Sequence, residues 1–81
     1  VEWVALTLIL VSLGQLIREL RQLLNLSQEK FAAHLGVSFQ AVNRWENGRA
    51  TPSPMAMEKL ENQIQKLGNP GKALLARYVS Q

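Results

Sequence analysis

The chain has 81 residues, no cysteine and a single histidine, His34. That length fits one domain, and it excludes a disulfide framework, a thiolate metal site and an all-imidazole zinc site. The formal net charge of +3, from nine Lys and Arg against six Asp and Glu, is mildly basic and spread without a run of like charges; it favours a polyanionic partner without amounting to a basic tail.

Residues 1–13 read VEWVALTLILVSL, with Glu2 as the only charge. A membrane-spanning helix needs roughly 20 apolar residues, and extension to Ile17 still falls short before Arg18 and Glu19. A signal peptide would carry positive charge in front and a small-residue cleavage site behind, and neither is clear. A buried or partner-facing segment remains, and its Val, Ile, Leu and Trp content fits a strand or a helix. The chain opens on Val rather than Met; a trimmed chain or a start assigned too far upstream would explain both features, as an alternative to a buried or partner-facing segment.

Ser12-Leu13-Gly14-Gln15 has the form of a capping box. Leu16, Ile17, Leu20, Leu23 and Leu24 then repeat at helical spacing, predicting a first amphipathic helix that ends near Asn25. Ser27 is the next N-cap candidate, ahead of a helix over 28–35 with Phe31, Ala32 and Leu35 on one face. Gly36 suits the left-handed position that closes it. Ser38 caps a third helix that buries Val42 and Trp45 and stops at Asn47-Gly48. Ser53 and Pro54 open a fourth, with Met55, Leu60, Ile64 and Leu67 as its apolar stripe and Gly68 at its end. Asn69-Pro70 starts a short last helix carrying Leu74, Leu75, Tyr78 and Val79. Lys59, Lys66, Lys72 and Arg77 read as solvated helix faces. The expectation is an all-α, compact five-helix domain over 13–81, preceded by an apolar extension over 1–12 of uncertain structure. No internal repeat or low-complexity tract appears.

The informative stretch is 28–47, QEKFAAHLGVSFQAVNRWEN. Two short helices meet across a tight turn. Ala32 is small where they cross, and Phe31, Leu35, Val37, Val42 and Trp45 form a shared wedge of core. The remaining positions are polar, which suits a helix held out from the body with its outer face free to enter a major groove.

The run LSQEKFAAHLGVSFQAVNRWENGRATPS resembles the lambda-repressor-like helix-turn-helix domains, the Cro/repressor or XRE family. The resemblance covers 14 to about 67. It rests on Leu26-Ser27-Gln28, on Leu35-Gly36-Val37-Ser38 at the turn, and on Trp45-Glu46-Asn47-Gly48; residues 1–12 depart from the pattern. It implies that Gln40 and Arg44 read base edges, together with Phe39, which can pack on a thymine methyl, and Asn43, which can reach a base or a phosphate. Glutamine can pair with adenine and arginine with guanine. It also implies that Gln28, Ser38, Asn47 and Arg49 hold phosphates, which set register rather than sequence. In phage members a first-helix arginine binds the glutamate before Asn-Gly, which implies a partly buried Arg21–Glu46 ion pair here.

The implied function is sequence-specific binding of double-stranded DNA by a cytoplasmic bacterial or phage transcriptional regulator. The expected form is a repressor acting as a homodimer on an inverted repeat, with apolar material for the interface at 3–11 and 74–79. The alternative is the antitoxin of a toxin–antitoxin pair, its apolar N-terminus binding the toxin. No carboxylate pair, nucleophile–base set or phosphate loop points to an enzyme, and no cofactor or metal is implied.

Overall fold

The computed structural model describes residues 2–79, with side chains from 12 to 78. Among these residues there are five helices and no strand: α1 (Glu2–Leu23), α2 (Gln28–Leu35), α3 (Phe39–Glu46), α4 (Pro54–Lys66) and α5 (Asn69–Val79). No helix among them is long and apolar enough to cross a membrane. Helix α1 packs on α3 and α5, α2 packs on α3 and α4, and α4 packs on α5. The shared core is Ile17 and Leu20 from α1, Phe31, Ala32 and Leu35 from α2, Val42 and Trp45 from α3, Ala56, Leu60 and Ile64 from α4, and Leu74 from α5.

The caps follow from local chemistry. Ser27, Ser38 and Ser53 are extended, and their hydroxyls accept from the amides of Lys30, Ala41 and Ala56 respectively. Each satisfies one amide that a helix start leaves without a partner. Gly36 closes α2 at φ 72°, with its amide on the Ala33 carbonyl and the Val37 amide on the Ala32 carbonyl at 2.9 Å. A side chain is strained at that φ, so glycine permits the turn that brings α3 across α2. Asn25 closes α1 in the same way at φ 58°.

Four expectations are corrected. Ser12 caps nothing, because α1 is already helical from Glu2 and passes straight through it. No proline and no glycine before Gly14 breaks that stretch, and an apolar run alone does not separate strand from helix. Met55 leaves the apolar stripe of α4 and is 69% exposed, while Met57 packs against the core. Leu23, in the last turn of α1, is also exposed, at 47%. Lys59 and Arg77 are not merely solvated: Lys59 Nζ donates to the Leu35 carbonyl at 3.0 Å, and Arg77 and Tyr78 both bond Glu19, fastening α5 to α1. The interface material suggested at 3–11 and at Val79 lies outside the described side chains.

Candidate nucleic-acid interface

Helix α3 has eight residues, too few to be stable alone in water. It is held by Val42 and Trp45 in the core and by the Ser38 cap. Its other side is exposed. Gln40 and Arg44, one turn apart, are both exposed, and so is the apolar Phe39 at 43%. Ser38, Asn47 and Arg49 are exposed at its two ends, whereas Gln28 and Asn43 are half-buried between α2 and α3.

Beneath this surface lies one buried charge. The Glu46 side chain is inaccessible to solvent. Its Oε2 accepts from Arg21 Nε at 2.7 Å, and its Oε1 accepts from Arg21 Nη2 at 3.1 Å, Gln28 Nε2 at 3.0 Å and Arg18 Nε at 3.4 Å. The Arg21 contact is a two-pronged pair, the strongest geometry open to a carboxylate. Arg21 is itself mostly buried, and its Nη1 donates to the Leu26 carbonyl at 3.1 Å. One guanidinium therefore joins α1, the loop after it and the end of α3. Two more bonds extend the cluster: Asn43 Nδ2 donates to Gln28 Oε1 at 3.2 Å, and Asn47 Nδ2 donates to Asn43 Oδ1 at 3.1 Å. Among the described residues no buried side-chain nitrogen or oxygen lacks a partner.

Burial pushes the Glu46 pKa upward, but the hydrogen bonds from Arg21, Gln28 and Arg18 and the Arg21 charge together outweigh it, and the net shift is downward. The Glu46 bond in turn raises Arg21, against its own partial burial. A carboxyl whose pKa falls on folding stabilises the native state above its ordinary value and loses that contribution as pH drops through the lower folded one. Thermal stability should therefore be flat near neutrality and decline below about pH 4.5. In Glu46→Gln that part of the decline should be missing, which melting curves across pH would show.

Sequence reasoning missed the close approach of α1 to α3 at Gly14. A Cβ built there would lie 2.5 Å from the Trp45 carbonyl oxygen and 3.0 Å from that of Glu46. The available signal is spacing: Gly14, Arg18 and Arg21 fall at i, i+4 and i+7, on one helix face. The engagement of Arg18 and the links among Gln28, Asn43 and Asn47 were missed as well.

Two capped helices crossing at a glycine turn, the second with an exposed polar face, define a helix-turn-helix domain. A helix-turn-helix family model matches residues 17–66, and the chain belongs to that family, the lambda-repressor-like XRE group of DNA-binding domains. No curated protein and no solved structure matches the chain.

Proposed function

We propose that this protein is a transcriptional regulator that reads a specific duplex sequence with the outer face of α3 and represses by occupying its site. The observation that carries the reading is the exposure of Gln40 and Arg44 one turn apart, with Phe39 exposed at the helix start, on a helix that Val42, Trp45 and Glu46 anchor in the protein. In this reading Arg44 and Gln40 bond base edges and Phe39 meets a thymine methyl. Gln28, Ser38, Asn47 and Arg49 hold the backbone on either side. Asn43 lies beside the readers, bonded at both ends of its amide.

Length argues for two copies. Eight helical residues span about 12 Å, which covers only about four base pairs. So short a site recurs too often to specify an operator, whereas a homodimer on an inverted repeat doubles it.

Selection of bound duplexes from a randomised pool tests this directly. The expected product is an inverted repeat with half-sites about 34–36 Å apart. In Gln40→Ala the discrimination at one position of each half-site should relax, at a cost of about 1–3 kcal/mol against the correct base. A pool that returns no sequence, with binding lost at moderate salt, would leave only phosphate affinity and transfer the reading to a protein partner, as in an antitoxin.

A further inference from the structure

A carboxylate only accepts hydrogen bonds. The buried Glu46 therefore fixes the sense of every amide that follows it. Gln28 turns its NH₂ inward to Glu46 Oε1, which leaves Gln28 Oε1 facing Asn43. Asn43 must then donate to Gln28, and its own Oδ1 receives the Asn47 NH₂. The relay Glu46–Gln28–Asn43–Asn47 runs from the buried end of α3 to the start of α2, back to the middle of α3 and on to the residue that ends it. A bidentate read of adenine needs both ends of an asparagine amide turned to the base, whereas the Asn43 amide is turned to Gln28 at one end and to Asn47 at the other.

We propose that Asn43 is a positioning residue rather than a base reader: its amide, oriented from Glu46 through Gln28, fixes the Gln28 and Asn47 amides, each of which keeps one N–H to donate to a phosphate on the two flanks of the reading helix. This rests on the DNA-binding reading above. It differs in what it asks of Asn43, which sits among the reading residues in sequence yet acts through its neighbours.

The test has two arms, both on the full chain. In the first, wild type, Asn43→Ala, Gln28→Ala and the double variant are titrated against the selected duplex, its single-base-pair variants and an unrelated duplex. Asn43→Ala should weaken binding to every duplex by about the same factor, roughly two- to tenfold for a lost hydrogen bond, with the ranking of the variants unchanged. Asn43→Ala added to Gln28→Ala should lose little more, because the two act in one chain. A changed preference at one base pair, full additivity, or no effect of Asn43→Ala would each overturn the proposal. In the second arm, side-chain amide signals are recorded by NMR without DNA. Asn43→Ala should move the Gln28 and Asn47 NH₂ resonances; unmoved signals in a folded variant would overturn the relay. A wild type that binds no duplex while those signals do move would place the failure in the DNA-binding reading instead.

Discussion

Arg21→Ala should unfold about 12–24 °C below the wild type. The estimate starts from the Glu46 carboxylate, which has no solvent access and receives two of its hydrogen bonds from Arg21, the shorter at 2.7 Å. Removing one partner of such a pair leaves an uncompensated buried charge and costs about 3–5 kcal/mol. Arg18 and Gln28 still bond Glu46, so the lower end applies, about 3 kcal/mol. In a domain of this size each 1 kcal/mol moves the midpoint by about 4–8 °C. Total stability for such a chain is about 4–12 kcal/mol, so the loss is a large share of the whole. The same reasoning predicts that Arg21→Met combined with Glu46→Leu recovers most of it, because the stranded charge is then gone. Thermal and urea denaturation at pH 7 measure both variants. A loss in Arg21→Ala below about 0.5 kcal/mol would mean that the pair behaves as a solvated surface contact.

Gly14→Ala should also destabilise, against the usual rule. In an exposed helix interior alanine is favoured over glycine by about 1 kcal/mol. Here the added Cβ meets the Trp45 carbonyl oxygen at 2.5 Å, and that atom belongs to the backbone of α3, so no side-chain rotation relieves it. Helix α1 must lift away from α3, which carries Arg21 away from Glu46 in the same movement. Overpacking of this kind costs about 1–3 kcal/mol, enough to reverse the propensity gain. Gly14→Leu should fare worse still. Melting temperatures read the sign, and a Gly14→Ala protein more stable than wild type would show that the two helices have room to spare.

What the sequence discloses divides along physical lines. The caps at Ser27, Ser38 and Ser53 and the turn at Gly36 were legible because each depends on two to four adjacent residues. The burial of Phe31, Leu35, Val42 and Trp45 followed from helical spacing alone. Contacts set by how helices cross were not legible in that way. Lys59 reaches the Leu35 carbonyl 24 residues away, and Arg77 reaches Glu19 at a separation of 58. Spacing does not tie residue 21 to residue 46 either; that link came from the family resemblance. Gly14 was read as part of a capping box because its neighbours fit one, while its function depends on the backbone of α3. The phosphate expectation for Gln28 came from the family resemblance, and its bond to Glu46 appears only once α2 lies across the end of α3. Met55 and Met57 show the limit of an apolar stripe: two positions along a helix separate an exposed side chain from a packed one.

The reading of DNA by α3 is tested most directly through Arg44. Dissociation constants at one fixed salt concentration would be measured for wild type and Arg44→Ala on the selected duplex and on each of its single-base-pair variants. If Arg44 reads a base edge, its replacement flattens discrimination at one position per half-site by about 1–3 kcal/mol and leaves the other positions ranked as before. A uniform loss across all duplexes, with every preference intact, would make Arg44 a phosphate contact and contradict its place as a base reader on the exposed face of α3.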